Sequence, residues 1–195
     1  MTGIPWMIGL NLNCGKGSIC MTENKKKIYI TMLGRSIWAV LNSYYAVLKE
    51  KHYYPDEIIL FTETEHSKDL ELIKKGLALT SSHFNLSPPI QHHIISEVEC
   101  KVGSEDDFVK AVQCIHSIIS DHKKAGSTIA LDITPGKKTL TAAALLPIKL
   151  SDVDHVFYLS IKDVEPAPFM MIPFQTQQVH DFKEQAVRAM NAAAQ

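Results

Sequence analysis

The sequence predicts an α/β protein with a Rossmann-like, mainly parallel sheet that carries helices on both faces. Short apolar segments alternate with longer amphipathic segments from about residue 25 onward. Several apolar segments are nearly continuous, as strands buried on both faces of a sheet should be. The 195 residues, 46% of them hydrophobic, also suffice for one packed core of ordinary size.

In the first half of the chain, strands and helices alternate. A β-rich apolar strand is predicted over 27–33, followed by a helix over 36–51 with apolar residues at helical spacing. The next pair is a strand over 56–62 and a helix over 67–84 that a serine caps. A third strand, over 90–99, is more polar, which favours a position nearer an edge of the sheet.

The second half continues this alternation. The clearest helix is predicted over 104–126, because acids fill its first turn, lysines its last, and a glycine closes it. A strand over 127–133 leads into an alanine-rich helix over 137–150, which Pro147 should interrupt. The last predicted elements are strands over 154–161 and 169–174 and a terminal helix over 179–195.

Regular patterning begins only after residues 1–24. A second methionine, Met21, lies just before this point, so 1–24 are interpreted as an N-terminal extension and 25–195 as one Rossmann-like domain. No apolar run approaches the ~18 residues that a membrane helix needs, and no secretory signal is recognised. The predicted location is the cytoplasm, without a membrane partner.

Charge and cysteine content exclude several classes of function. A formal net charge of −1 does not favour a protein that coats duplex DNA, so an anionic ligand would need a local cluster of cations. The four cysteines form no CxxC pair and are interpreted as reduced thiols. The nine histidines show no metal-ligand spacing, and no nucleophile–base order can be argued from spacing. The sequence therefore predicts no metal and no cofactor.

Ligands of doubly wound sheets bind at the carboxyl ends of strands, where the strand order reverses. This rule selects the loops after the first, second and fourth predicted strands. The candidate ligand-binding residues in these loops are Leu33, Gly34, Arg35, Ser36, Thr62, Thr64, Thr134, Pro135, Gly136, Lys137, Lys138 and Thr139.

The segment "DITPGKKT" is the strongest of the three loops. A helix begins at its two lysines, so free backbone N–H groups, ammonium groups and hydroxyls would meet there and could hold a phosphate. A lysine-started turn with solvated ammonium groups is the alternative. Neither this loop nor the N-terminal "GLNLNCGKGS" fits the P-loop pattern, and "LGRS" does not fit the dinucleotide fingerprint.

The segment "MLGRS" offers a second cation and a second hydroxyl. Gly34 permits a sharp turn, and Arg35 can bind a phosphate with its planar guanidinium group. Ser36 could contact the ligand, although an N-cap is the commoner role of a serine before a helix. The two loops should converge on one side of the sheet.

Two segments of the chain resemble the motifs of CARF domains, the Rossmann-like sensors of type III CRISPR defence. "YITMLGRSIWAVLNSYYAVL" is similar to the first family motif and "LDITPGKKTLTAAALL" to the second, and the likeness extends from Lys27 to about Phe174. Lys138 falls on the lysine of the family and Gly136 on its second glycine. The chain departs at Pro135, where glycine is usual, and adds Lys137.

The resemblance implies a homodimer that binds a cyclic oligoadenylate across its two-fold axis, with cyclic tetra-adenylate favoured over the hexa-adenylate. An effector domain or protein outside this chain would produce the output. One alternative is a metal-independent ring nuclease that uses Lys138 and Ser36 to open the messenger and leaves a 2′,3′-cyclic phosphate. A further alternative, outside the family, is a generic mononucleotide-binding Rossmann-like domain.

Overall fold

The computed structural model describes residues 25–63, 68–95, 105–149, 151–162 and 176–193, and within them it contains one six-stranded sheet. The strands are β1 (Lys27–Leu33), β2 (Glu57–Glu63), β3 (Ile90–Ile95), β4 (Thr128–Asp132), β5 (His155–Ile161) and β6 (Gln177–Asp181). The helices are α1 (Ile37–Ala46), α2 (Leu70–His83), α3 (Glu105–Lys124), α4 (Lys138–Leu145) and α5 (Phe182–Ala193). The predicted α/β class is confirmed.

The strand order is β3-β2-β1-β4-β5-β6, and all neighbours are parallel except β5 and β6. Chain direction therefore carries α1 and α4 away from the adjacent strands β1 and β4, which form the point where the strand order reverses. The polar strand β3 lies at an edge, as its composition predicted. The loops after β1 and β4 leave the same carboxyl edge of the sheet.

The central strands supply two apolar cores, one on each face of the sheet. In β1, Tyr29 and Leu33 pack in a core with α1 and α2, whereas Ile28, Ile30 and Met32 pack in a core with α3 and α4. This division follows from the alternation of side chains along a strand. Because each fully buried large aliphatic side chain contributes about 1.5–3 kcal/mol, the two cores fix β1 and its neighbours firmly.

The first helix differs from its predicted form near its end. α1 ends at Ala46, and a π-helical turn over Val47–Lys51 continues it to His52, which has a left-handed φ of 51°. The turn places Glu50 so that its carboxylate accepts the N–H of Val179 at 3.0 Å. The π-helical segment therefore connects α1 with the edge strand β6.

The carboxyl-terminal end is the clearest departure from the sequence interpretation. Residues 179–181 belong to β6, so the predicted terminal helix begins only at Phe182. Asp181 explains this boundary, because its Oδ1 accepts the N–H groups of Lys183 (3.1 Å) and Glu184 (3.3 Å) and so caps α5. The strand predicted over 169–174 and the extension 1–24 lie outside the described residues.

The remaining helix predictions are confirmed within the described residues. The core face of α3 contains Ile115 and Ile119, with Phe108 and Val112 packed against it. α4 stops at Leu145, two residues before the proline that was expected to interrupt it. α2 begins at Leu70 with Asp69 at its N-cap position and no side-chain cap, so the predicted cap by the serine at position 67 is wrong for this helix. The serine predicted to cap α3, at position 104, lies outside the described part of the chain.

A partly buried ion pair joins α3 to the start of β5. Both carboxylate oxygens of Asp154 lie 2.9 Å from the Lys123 ammonium group, and Oδ2 also accepts the N–H of Ile129 at 2.8 Å. Desolvation raises the pKa of Asp154, but the hydrogen bonds from Ile129 and Lys123 outweigh it, so the pKa lies below its usual value. The charged form is therefore favoured in the folded protein.

We expect Asp154→Asn to lower the free energy of unfolding by about 1 kcal/mol at pH 7, because a charged, partly exposed hydrogen-bond acceptor is lost. Because the folded-state pKa is depressed, the contribution of Asp154 is complete above the unfolded pKa of about 4 and disappears as the pH falls through the folded pKa. Urea unfolding between pH 2.5 and 7 measures this: the two proteins should converge in acid.

The matched control for this prediction is Asp121→Asn, which removes an exposed carboxylate 3.6 Å from Lys124 on the same helix. Its free energy of unfolding should change by less than about 0.5 kcal/mol at any pH. A loss of stability for Asp154→Asn that stays constant down to pH 2.5 would contradict the assignment.

Candidate functional site

The loops after β1 and β4 touch each other at the point where the strand order reverses. A Cβ atom added to Gly34 would lie 2.3 Å from the carbonyl oxygen of Pro135 and 3.3 Å from the backbone nitrogen of Lys137. Such a close approach of two backbones requires glycine at this position. The structure therefore brings together the two loops that the sequence singled out, 33–36 and 134–139, which we call the switch-point loops.

The second loop also folds back on its own helix. A Cβ atom added to Gly136 would lie 2.8 Å from Thr141 Oγ1 and 3.1 Å from Met32 Sδ. Gly136 thus packs between the first turn of α4 and the end of β1. Both glycines of the switch-point loops are explained by close packing, which fixes the relative position of the loops.

Asp132, the last residue of β4, is a fully buried carboxyl group that anchors this arrangement. Its Oδ2 accepts hydrogen bonds from the hydroxyls of Ser43 (2.5 Å), Tyr29 (2.7 Å) and Thr31 (3.2 Å). Its Oδ1 accepts the N–H of Thr134 at 3.0 Å, which begins the turn of the second loop. One side chain therefore connects β1, α1, β4 and that loop.

Burial dominates the titration of this cluster. Desolvation raises the pKa of Asp132 above its usual value, although the hydrogen bonds from Ser43 and Thr134 oppose the shift. The pKa of the Tyr29 hydroxyl is also raised well above its ordinary value, by desolvation and then by the neighbouring carboxyl group of Asp132. Tyr29 therefore remains a neutral hydrogen-bond donor to Asp132.

Thr134 forms hydrogen bonds through both its backbone and its side chain. Besides its N–H bond to Asp132, its Oγ1 accepts the N–H of Leu159 on β5 at 2.9 Å. The hydroxyl oxygen is thus used to join the second loop to β5. Its predicted contact with a ligand stays a prediction, and this arrangement gives Thr134 a structural role in addition.

Four of the candidate residues present exposed side chains at this edge of the sheet: Arg35, Ser36, Lys138 and Thr139. Ser36 is the N-cap of α1, because its Oγ accepts the N–H of Ala39 at 3.3 Å. Arg35 and Lys138 form no ion pair within the described part of the chain. Both side chains are therefore accessible to an anion from solvent.

The start of α4 adds further donors. Lys137 is the N-cap residue with extended backbone and no side-chain cap, and its carbonyl oxygen accepts the N–H of Thr141 at 2.9 Å. The N–H groups of the first turn therefore have no partner within the helix. Together with the helix dipole, they favour a negative charge at this end of α4.

Lys137 is placed differently from Lys138. It is mostly buried and forms an ion pair with Glu63, the last residue of β2. Sequence reasoning missed Glu63, although an acidic residue at the end of a strand beside β1 was a signal that could have identified it. The local charge thus includes one carboxylate as well as the three basic side chains of the switch-point loops.

Three other candidate residues are withdrawn from solvent: Leu33, Thr62 and Pro135. Leu33 belongs to the core with α1 and α2, and Thr62 donates from Oγ1 to the carbonyl oxygen of Glu63 at 3.2 Å. Their predicted ligand contacts remain predictions, and their observed role is to support the loops. Thr64 lies outside the described residues.

No group of three or more metal-ligating side chains suited to a metal ion occurs among the described residues. In the same part of the chain, no helix has the length and apolar character needed to cross a membrane. Cys114 on α3 is a free thiol, and burial raises its pKa. The described groups at the switch point are cations, hydroxyls and backbone donors, together with the Glu63 carboxylate.

No family model matches this chain, and no curated protein sequence is similar enough to match it. Solved structures do match. The protein VC1899 from Vibrio cholerae aligns with a TM-score of 0.50 and 12% identity, over 68% of this chain and 30% of its own. Csm6 from Enterococcus italicus, bound to cyclic hexa-2′-fluoro-hexa-dAMP, aligns with a TM-score of 0.51 and 16% identity, over 86% of this chain and 46% of its own.

This chain thus spans less than half the length of either protein. At these identities the likeness shows the fold alone, the Rossmann-like α/β fold that the sequence predicted. The six-stranded sheet described above agrees with it.

We expect Asp132→Ala to lower the free energy of unfolding by about 3 kcal/mol, because buried hydroxyls and an N–H group lose their acceptor.

We expect Asp132→Asn, whose side chain does not ionise, to reveal how the protonation of Asp132 affects stability. Because the folded-state pKa is raised, the stability that wild type derives from this group is complete below the unfolded pKa of about 4 and declines as the pH rises through the folded pKa. Denaturant unfolding between pH 4 and 8.5 should show the free energy of unfolding of Asp132→Asn rising progressively relative to that of wild type. A difference between the two proteins that stays constant with pH would contradict this prediction.

We expect Gly34→Ala to lower the free energy of unfolding by about 1–3 kcal/mol, because a methyl group cannot fit 2.3 Å from the Pro135 oxygen without separating the loops. Gly76→Ala on α2 is the matched control: its methyl group would meet only the flexible side chain of Leu41, 2.7 Å away. Thermal unfolding compares the two variants. Equal stability of Gly34→Ala and wild type would show that the loops do not pack in this way.

Proposed function

We propose that the protein is a dimeric sensor that binds a cyclic oligoadenylate at the switch-point loops. The observation that carries the proposal is the close backbone approach of Gly34 to Pro135, which brings together the two loops that contain Arg35 and Lys138. The structural likeness to Csm6, which was solved with a cyclic hexanucleotide analogue, supports it.

The chemistry of the loops suits a ring of phosphates. Arg35 can form paired hydrogen bonds with one phosphate, and Lys138 provides a point charge beside the free N–H groups of α4. A cyclic oligoadenylate with an even number of nucleotides has two-fold symmetry. A homodimer with an isologous interface would present each loop twice and match that symmetry.

Isothermal titration with cyclic tetra-adenylate and cyclic hexa-adenylate tests the proposal, with the smaller ring expected to bind more tightly. Lys138→Ala should weaken binding about ten- to a hundredfold, because a charged hydrogen bond to a phosphate is lost. Lys149→Ala is the matched control, since it removes the same charge from an exposed site beyond the other end of α4. Light scattering should report a dimer.

Three results would count against this function. The absence of heat with both rings at micromolar protein would exclude the sensor role. Equal loss of affinity in Lys138→Ala and Lys149→Ala would indicate nonspecific charge attraction instead of binding at the switch point. Retention of ordinary mononucleotides with indifference to both rings would favour a generic mononucleotide-binding domain.

A ring nuclease is the second candidate, favoured by the exposure of Lys138 and Ser36 at the same edge. The ribose 2′-oxygen would attack the adjacent phosphorus, and the bond to the 5′-oxygen would break, with a proton transferred to that oxygen. The product is a linear oligoadenylate with a 2′,3′-cyclic phosphate and a 5′-hydroxyl. Lys138 would stabilise charge on the phosphoryl oxygens, and Ser36 would position the ribose-phosphate.

Incubation of cyclic tetra-adenylate with the protein in excess chelator separates the two candidates. A linear product that forms with wild type and does not form with Lys138→Ala indicates the nuclease. An intact ring that co-purifies with the protein indicates the sensor.

A further inference from the structure

We propose that Glu63 is a built-in counter-anion of the switch-point loops, which holds Lys137 and lowers the affinity of these loops for phosphate. The inference rests on the proposed function only in assuming that the loops bind phosphate groups. It assigns a role in setting ligand affinity to a residue that neither the sequence motifs nor the proposed function includes.

The ion pair of Glu63 with Lys137 lies at the carboxyl edge of the sheet. Glu63 ends β2, and Lys137 follows β4, whereas β1 lies between these two strands. The ion pair therefore spans the carboxyl end of β1. It does so beside Gly34, whose backbone touches the backbone of Pro135 and Lys137. The carboxylate thus lies at the same carboxyl edge of the sheet as the switch-point loops.

The same ion pair is also largely buried. The side chains of Lys137 and Glu63 are 21% and 15% exposed, so solvent and salt screen this pair less than the exposed pair on α5, Arg188 with Glu184. A carboxylate in such a position neutralises the nearest ammonium group. It also repels any further anion that approaches.

The other two cations of the switch-point loops are exposed, unlike Lys137. Arg35 and Lys138 are exposed and form no ion pair among the described residues, so they are ready to meet a phosphate. Lys137, by contrast, must leave Glu63 or bridge the carboxylate and the ligand before it can bind a phosphate. Either process costs part of the ion-pair energy, and this cost lowers the affinity for every anionic ligand.

This cost weakens the binding of every phosphate ligand. A ligand with several phosphates still binds more tightly than a single phosphate, because it engages Arg35 and Lys138 at the same time. Removing the charge of Glu63 should therefore strengthen the binding of both kinds of ligand.

The test uses the full chain, titrated calorimetrically with inorganic pyrophosphate and with cyclic tetra-adenylate. Glu63→Gln should bind pyrophosphate about tenfold more tightly than wild type, because one repelling charge is removed and Lys137 is released. Lys137→Met should weaken binding, since it leaves the carboxylate unpaired, and Glu63→Gln combined with Lys137→Met should return the affinity close to that of wild type. Glu63→Asp, which keeps the charge, should resemble wild type.

An independent readout follows the lysine itself. Acylation of Lys137, measured by mass spectrometry without any ligand, should be faster in Glu63→Gln than in wild type, whereas acylation of Lys138 should be unchanged. Equal acylation of Lys137 in the two proteins would overturn the inference. The same holds if Glu63→Gln and Glu63→Asp change the affinity alike, which would indicate a structural role.

The outcomes distinguish the inference from the proposed function. Tighter pyrophosphate binding by Glu63→Gln, with no binding of the ring by any variant, supports the role of Glu63 and contradicts the cyclic oligoadenylate sensor. Ring binding that is insensitive to Glu63→Gln supports the sensor and overturns the role of Glu63. If even Glu63→Gln binds neither probe, both are overturned.

Discussion

The buried carboxyl group of Asp132 is the constraint on which the candidate site depends. It receives hydroxyl groups from β1 and α1 and an N–H group from the second switch-point loop, so the strands, the helix and the loop share one acceptor. A buried carboxyl group without such partners would cost several kcal/mol. The hydrogen bonds to Asp132 therefore keep this region in one arrangement, and they fix the position of the second switch-point loop.

The electrostatics of the site divide into a fixed part and an adjustable part. Asp132 and Tyr29 lie in the interior, and burial disfavours the charged form of each. Arg35 and Lys138 are at the surface, where their charges are available to a ligand. Glu63 with Lys137 lies between these extremes, partly shielded from water. A site built in this way can hold its geometry constant while a single ion pair sets how strongly it attracts anions.

The sequence was sufficient to predict strands β1 to β5, the polar edge strand among them, and the two loops that meet, because apolar runs, helical spacing and turn glycines are local signals. It could not predict the interactions that complete the site. Tyr29 and Asp132 are 103 residues apart, and the pairing of Lys137 with Glu63 depends on the strand order β2-β1-β4. β6 was missed because "QQVHD" has few apolar residues and becomes a strand through its antiparallel pairing with β5.

The two central strands are joined at both ends. At their amino ends, the Tyr53 hydroxyl lies 3.0 Å from the carbonyl oxygens of both Ile28 and Thr128, and at the carboxyl ends Asp132 connects β4 with β1. Sliding of β1 along β4 would break both connections together with the ladder between them. A displacement at the carboxyl edge is therefore easier to accommodate by tilting of α1 and α4 than by movement of these two strands past each other.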